Sequence, residues 1–261
     1  MYPFLFQIGP FEVFGRQLGP LVIASFGTMV ALGFLAALYV LRRELARKGL
    51  DPELGSSIIT AGMLGGIAGA KLYFVLFEMG PSATWGEALR GLFSGSGLTW
   101  YGGFAVAAAA IVWLVRRHGA PCLPVADAAG LALALGYGIG RIGCQLAGDG
   151  DYGAPTDLPW GMAYPDGVVP TFEKVHPTPV YETLMSLAIF GALWSTRKRL
   201  DLPGLSFCVY LVLSGLARFL VEFLRINPRV LWGLSEAQLI SLAVVLVGSG
   251  AGFRLLKEKA V

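Results

Sequence analysis

Two stretches of this chain decide its solvent before any fold is considered. Gln17–Leu41 and Gly91–Val115 each run 25 residues without a charged side chain. About 18 such residues are enough to cross the hydrocarbon core of a bilayer as a helix, in which backbone N–H and C=O groups find partners inside the segment. The rest of the sequence agrees. Of 261 residues, 55% are hydrophobic and 14% are charged, against about a quarter charged in a soluble domain, and the mean hydropathy is +0.66. The chain reads as an all-α integral membrane protein, a single domain over 1–261. Its seven spans are expected at about 20–41, 55–77, 98–115, 125–143, 178–195, 203–224 and 236–254. The first is too long, and preceded by too few basic residues (only Arg16), for a cleaved signal peptide.

Orientation follows from lysine and arginine placement. Twelve basic residues (Arg42, Arg43, Arg47, Lys48, Arg116, Arg117, Arg197, Lys198, Arg199, Arg254, Lys257, Lys259) fall after odd-numbered spans. Five (Arg16, Arg90, Lys174, Arg225, Arg229) fall on the other side. This bias predicts an outer N-terminus and a cytoplasmic C-terminus. It also accounts for the formal net charge of +3, so no nucleic-acid partner is expected. Cys122, Cys144 and Cys208 form no C-x-x-C pair, and two histidines, His118 and His176, do not make a multi-histidine metal site.

Phe4, Phe6, Phe11 and Phe14 ahead of the first span read as an interfacial aromatic strip. Small residues at helical spacing, Gly62, Gly65, Gly66, Gly69 and Ala70 in the second span and Gly136, Gly140 and Gly143 in the fourth, first of all permit close helix packing. The longest outer loop, about 144–177, is rich in glycine, proline and aspartate, and LPWGMAYPDG within it reads as a hairpin or turn.

Ionisable residues inside or bordering the spans are costly and point to function. They are Lys71, Asp127, Arg141, Glu182, Arg218, Glu222 and Arg225. On the expected topology all except Asp127 belong to the outer half of the bilayer. Arg218, Glu222 and Arg225 are spaced i, i+4, i+7 and so share one face of the sixth helix, where an internal Arg218–Glu222 salt bridge is one reading. Arg141 and Lys71 at the same depth suggest the other: more cations than carboxylates, an anion site suited to phosphate through the arginine fork.

With these residues in order, the chain resembles the prolipoprotein diacylglyceryl transferase family. The resemblance rests on GRIG at 140–143, the loop ending Asp151-Tyr152-Gly153, TDLPWGMAYP at 156–165, HPTPVYE at 176–182, RFLVEFLR at 218–225 and Gln238. SFGTMVALGF at 25–34, GAKLYFVLFE at 69–78 and WYGGF at 100–104 fit the same order. It implies transfer of the diacylglyceryl group of phosphatidylglycerol to the thiol of a lipobox cysteine in a prolipoprotein signal peptide. A thioether forms and glycerol phosphate leaves, in the bacterial cytoplasmic membrane, with the site towards the outer leaflet.

The family's essential arginines match Arg141 and Arg218, and Glu222 and Arg225 fall on further functional positions. Lys71, Gly102, Gly103 and Gly153 complete the expected phospholipid-binding set, while Tyr101, Asp149 or Asp151 are candidate proton acceptors that the sequence does not rank. Fixed guanidinium groups would stabilise the charge growing on a departing phosphate, and such a leaving group needs neither metal nor cofactor. The chain also departs from the family pattern. Tyr101 stands where many members have histidine, Cys144 and Ala147 replace asparagines, Phe26 replaces a tyrosine, and the loop after Gly148 is one residue longer. These changes lie near the acceptor side, which leaves room for a related transferase with another acceptor. A lipid or anion transporter is a third reading, disfavoured because no repeat and no midplane charge is visible.

Overall fold

The structure, a computed structural model, describes residues 1–13, 16–79, 86, 90–91 and 99–260. Phe14 and residues 92–98 of the second uncharged run lie outside the described residues. Seven long helices are seen among the described residues: α1 (Ser25–Arg47), α2 (Glu53–Tyr73), α3 (Trp100–Arg117), α4 (Cys122–Ala147), α5 (Thr178–Thr196), α6 (Leu205–Val221) and α7 (Glu236–Ala260). A π-helical turn, Phe74–Glu78, extends α2, and a 3-10 turn, Glu222–Leu224, ends α6. Five helices (α1, α2 to Glu78, α4, α6 to Leu224, and α7) are long and apolar enough to cross a membrane. The expectation of seven therefore outruns what length and hydropathy alone support. α3 is short and ends in Arg116-Arg117, and α5 carries Glu182 among several hydroxyl side chains.

Among the described residues, eight short strands accompany the helices, in antiparallel pairs. The N-terminal segment, read from sequence as an aromatic strip, folds as a ribbon. In it β1 (Phe4–Ile8) pairs with β4 (Leu21–Ala24), and β2 (Phe11–Val13) with β3 (Arg16–Leu18). The first helix consequently starts at Ser25 and not at residue 20, because the β-branched Val22-Ile23 pair is taken into the ribbon. Ser25 donates both its N–H (2.9 Å) and its Oγ (3.1 Å) to the Pro3 carbonyl, closing the ribbon where α1 begins. As expected, the LPWGMAYPDG segment, 158–167, turns back as part of a hairpin, β5 (Met162–Tyr164) on β6 (Thr171–Val175). A last hairpin, β7 (Arg229–Leu231) with β8 (Leu234–Ser235), joins α6 to α7.

The chain divides into two compact units, 41–125 and a second formed by 1–40 with 126–261. In the unit 41–125, α2 and α3 pack antiparallel along the small residues singled out in the sequence. A Cβ on Gly69 would come within 2.6 Å of the Val106 Cβ, and one on Gly65 within 3.2 Å of the Ala107 Cα. Gly62 faces Ile111. Packing thus accounts for this glycine series.

In the other unit, α6 and α7 meet at Gly215 and Gly248. There added Cβ atoms would stand 3.0 Å from the Ser241 and Cys208 carbonyl oxygens. α5 is tied to α4 by hydroxyl bonds, Ser186 Oγ to the Ala134 carbonyl (2.6 Å) and Thr183 Oγ1 to that of Gly138 (3.2 Å). Asp127, the charge that did not fit the outer-half pattern, is fully buried and caps the start of α6. Its Oδ2 accepts from the Gly204 N–H and its Oδ1 from the Phe207 N–H, both at 2.9 Å. These are the orphan donors of a helix N-terminus, so the carboxylate has a structural reason to be there.

Candidate functional site

The site begins with Arg141, one turn beyond Tyr137 on α4. Its Nε donates to the Tyr137 hydroxyl at 3.1 Å, its Nη1 donates to Cys144 Sγ at 3.4 Å and also pairs with Asp151, and its Nη2 lies 2.5 Å from Glu182 Oε2. Asp151 can return to its own helix because α4 ends at Ala147 and the next residues turn sharply. Gly148 has φ +59°, and a Cβ there would lie 2.7 Å from the Gly167 Cα, so the tight turn needs glycine on two counts.

The returning loop is then pinned down. Gly153 N–H bonds the His176 carbonyl (2.8 Å), Ala154 N–H that of Leu224 (2.7 Å), and Thr178 Oγ1 donates to the Asp151 carbonyl (2.5 Å). Gly153 forms a β-bridge with Arg225, and a Cβ on it would collide with the Leu224 carbonyl and come within 3.0 Å of His176.

Glu182, in the second turn of α5, is the hub. Its Oε1 accepts from the Tyr137 hydroxyl (2.7 Å) and Arg218 Nη1 (2.8 Å). Its Oε2 takes Arg141 Nη2 and, at 3.4 Å, Arg225 Nη1. Glu222 is the second hub, fully buried. It pairs with Arg218 Nη2 at 2.9 Å and accepts from Asn227 Nδ2 (2.6 Å) and Ser235 Oγ (2.8 Å). Arg225 closes the network on Asp151 Oδ1 at 2.5 Å.

Arg225 does not continue the face of the sixth helix, as its spacing suggested. The helix stops at Val221, residues 222–224 tighten into a 3-10 turn, and Arg225 is extended, with its side chain reaching back. The Arg218–Glu222 bridge anticipated from the i, i+4 spacing is present.

Three guanidinium groups thus meet three carboxylates in the unit formed by 1–40 and 126–261. The sequence reading of more cations than carboxylates at one level does not hold inside this network. Glu182, from a different helix, and Asp151, on the loop that turns back after Gly148, restore balance. Balance is what allows burial: a lone carboxylate or guanidinium of this exposure would carry a desolvation penalty of several kcal/mol. The three arginines differ in access, with side chains 12% (Arg141), 30% (Arg218) and 8% (Arg225) exposed. Arg218 is therefore the guanidinium best placed to meet a ligand.

Asp151, which lies outside the helices, has its carboxyl lowered to about 2. Burial pushes the other way, but Arg141 and Arg225 together outweigh it. A carboxyl so firmly held as an anion is a bridge between arginines and a poor proton acceptor. Asp149 accepts the Asp151 N–H at 3.3 Å. Cys144 Sγ and the carboxylates of Asp149 and Asp151 come within 4.8 Å of one another, yet both Asp151 oxygens are already bound by arginines.

The remaining expected site residues belong to the unit 41–125. Lys71 is buried near the end of α2 and donates to the Gly91 carbonyl at 3.2 Å. Tyr101, 39% exposed, Gly102 and Gly103 lie in the first turn of α3, where a Cβ on Gly103 would stand 3.0 Å from the Gly66 carbonyl oxygen. Sequence reasoning named Glu182 as an intramembrane charge but not as part of the site. It missed Tyr137, Asn227 and Ser235. Tyr137, one turn before Arg141 on the same helix face, was the available signal.

Comparison with known proteins meets this geometry from another side. A family model described as prolipoprotein diacylglyceryl transferase matches residues 14–253. Proteins named phosphatidylglycerol–prolipoprotein diacylglyceryl transferase are similar over nearly their whole length. The one from Leptospira interrogans is 32% identical over 98% of this chain and 95% of its own. The one from Clostridium tetani is 34% identical over 91% and 93%, and that from Thermotoga maritima 30% over 98% and 85%. Arg141, Asp151, Glu182, Arg218, Glu222 and Arg225 all lie within the matched region, and the chain belongs to the prolipoprotein diacylglyceryl transferase family.

Proposed function

We propose that this chain transfers the diacylglyceryl group of phosphatidylglycerol to the lipobox cysteine thiol of prolipoproteins. The observation that carries the reading is the buried arginine–carboxylate network, Arg141, Arg218 and Arg225 on Asp151, Glu182 and Glu222, in a chain of this family. In the reaction the cysteine sulfur attacks the glycerol carbon that bears the phosphate. The C–S bond forms, the C–O bond to phosphate breaks with its electron pair, and glycerol phosphate departs. The thiol proton leaves to an acceptor, for which Tyr101 and Asp149 are better suited than the arginine-bound Asp151.

Arg218, the most exposed of the three arginines, meets the departing phosphate. Arg141 and Arg225 hold the carboxylates that orient it. Preorganised charge of this kind lowers the barrier because nothing need reorganise as charge develops. The guanidinium also stays charged at any working pH. Lys71, Gly102, Gly103 and Gly153 are assigned to the phospholipid side, a reading supported by their place in the family-like stretches GAKLYFVLFE, WYGGF and Asp151-Tyr152-Gly153.

The two compact units form one transferase domain, a reading supported by the family match from 14 to 253, which spans both. All seven helices cross the bacterial cytoplasmic membrane, with the N-terminus outside, the C-terminus in the cytoplasm and the network towards the outer leaflet. The basic ends of α1, α3 and α7 support that orientation. A reporter fused after Lys259 is expected in the cytoplasm and a label at Asp166 outside.

The decisive experiment reconstitutes the purified chain with phosphatidylglycerol and a synthetic lipobox peptide, and follows the peptide by mass spectrometry. A peptide carrying one diacylglyceryl group on its cysteine, with stoichiometric glycerol phosphate, is the expected result. Transfer to a non-lipobox thiol with none to the lipobox peptide would favour the related transferase, the reading that Cys144 and Ala147 motivate. No release of glycerol phosphate with any acceptor would overturn both.

A further inference from the structure

The β7–β8 hairpin carries an unusual tip. Trp232 is the one non-glycine residue among the described residues with a left-handed backbone, at φ +50°, and Gly233 follows at φ +73°. Two successive left-handed residues make a type I′ turn, whose first position ordinarily takes Asn, Asp or Gly. An indole there is held against a strain on the order of 1 kcal/mol. It is also 86% exposed, so no packing within the chain repays that strain.

Its surroundings indicate what does. Leu216, Leu220 and Phe223 lie on one exposed face of α6 and its terminal turn, and Ile226, Val230 and Leu231, which follow before Trp232 in the chain, are exposed apolar side chains as well. From Val230 to Leu234 the hairpin reads VLWGL, without a charge. Both helices it joins are long and apolar enough to cross a membrane. Each strand is so short that the tip stands only about 10 Å from the hairpin's base. The tip therefore stays close to the ends of the two helices, within reach of the bilayer boundary.

The base, in contrast, is polar and fixed. Arg229 Nη1 donates to Gln238 Oε1 (2.7 Å) and Nη2 to the Glu222 carbonyl (3.3 Å), while Ser235 Oγ donates to the Glu222 carboxylate (2.8 Å).

We propose that the β7–β8 hairpin is a bilayer anchor: Trp232 inserts among the headgroups and upper acyl chains of the leaflet where α6 meets α7. Indole suits that position because its ring is apolar and its N–H can still reach water or headgroup oxygen. The occupant is lipid, since the tip and the exposed apolar side chains before it follow directly on the exposed apolar face of a helix long and apolar enough to cross a membrane. As the hairpin base is bonded to Glu222, the anchor also fixes the depth of the arginine–carboxylate network below the membrane surface.

The test places the full chain in phospholipid nanodiscs and subtracts the emission of Trp232→Phe from that of the unaltered chain, isolating the Trp232 component. That component is expected to be blue-shifted, insensitive to aqueous iodide, and largely lost when the lipids are brominated near the top of their acyl chains. Quenching by iodide and not by bromine would put the tip in water and overturn the proposal. Quenching by neither would place it against protein, a second copy or another partner, and overturn it equally. Trp232→Asn, the residue such a turn prefers, supplies an independent subtraction should the phenylalanine variant fold poorly. None of these readings depends on the transfer reaction.

Discussion

Glu182 Oε2 lies 2.5 Å from Arg141 Nη2, joining the second turn of α5 to a residue 41 positions earlier in the chain, in the last turns of α4. The same carboxylate also receives Tyr137, Arg218 and Arg225, so its removal leaves three guanidinium groups facing two carboxylates. Breaking a buried pair in this way costs about 3–5 kcal/mol. Glu182→Gln, which keeps shape and loses charge, is expected to lower the unfolding temperature and to cut transfer by well over tenfold. Measured transfer near that of the unaltered chain would mean that Glu182 merely neutralises its neighbours.

Arg141→Lys keeps the charge but not the fork. One ammonium cannot reach Tyr137, Asp151 and Glu182 together, as the guanidinium does. Transfer should fall by about tenfold or more, the cost of losing charge-assisted bonds worth roughly 1.5–3 kcal/mol each. Arg218→Ala should be at least as damaging to turnover. Assays on correctly inserted protein, at saturating and limiting phosphatidylglycerol, separate binding from chemistry.

Asp151 makes a pH prediction with a definite sign. Its carboxyl ionises at about 2 in the folded chain against a reference of 3.8. The bridge therefore adds stability that is fully present above 3.8 and is lost as pH falls through about 2. Unfolding measured from neutral to strongly acidic pH should show this component, and Asp151→Asn should remove it. Because the group does not titrate near neutrality, the same variant should lower turnover without moving the limbs of the pH–rate profile. A moved acidic limb would restore Asp151 as proton acceptor.

Gly153→Ala tests the loop that carries Asp151. The added methyl would meet the Leu224 carbonyl, which is backbone and cannot swing aside. Overpacking of this kind costs about 1–3 kcal/mol. The loop should loosen locally, seen as faster amide exchange at Gly153 and Ala154, and transfer should drop while the helices remain intact.

Tyr101→Phe should reduce turnover if the hydroxyl handles a proton or orients the headgroup, and Cys144→Asn should retain substantial transfer. Cys144 Sγ receives Arg141 Nη1 at 3.4 Å, a contact an asparagine oxygen can replace. A rate unchanged in the tyrosine variant, or abolished in the cysteine variant, would reverse these assignments.

The charges that build the network were legible because each is conspicuous within an apolar span. Arg141, Arg218 and Glu222 needed only the span assignment to be noticed. Glu182 was visible as a charge but not as the hub, since pairing across 41 residues leaves no periodic mark in sequence. For the same reason the equal count of carboxylates could not be read. The stop of α6 at Val221 was hidden too: the nearest breaker, Pro228, comes seven residues later, and it is the docking of Ala154 N–H on the Leu224 carbonyl that draws the chain out of the helix. The N-terminal ribbon was missed because aromatic and β-branched residues suit a membrane interface and a strand equally well.

Asp127 carries a consequence beyond capping. By holding the N–H groups of Gly204 and Phe207, it fixes the azimuth of α6 as well as its start. Arg218 follows Phe207 by 11 residues, about three full turns and roughly 16 Å along the axis. It therefore stands at nearly the same clock position as the residue Asp127 grips. The carboxylate at the far end of the helix thus works as a rotational stop: it sets the bearing on which Arg218 leaves the helix, and with it the direction from which a phosphate can be met.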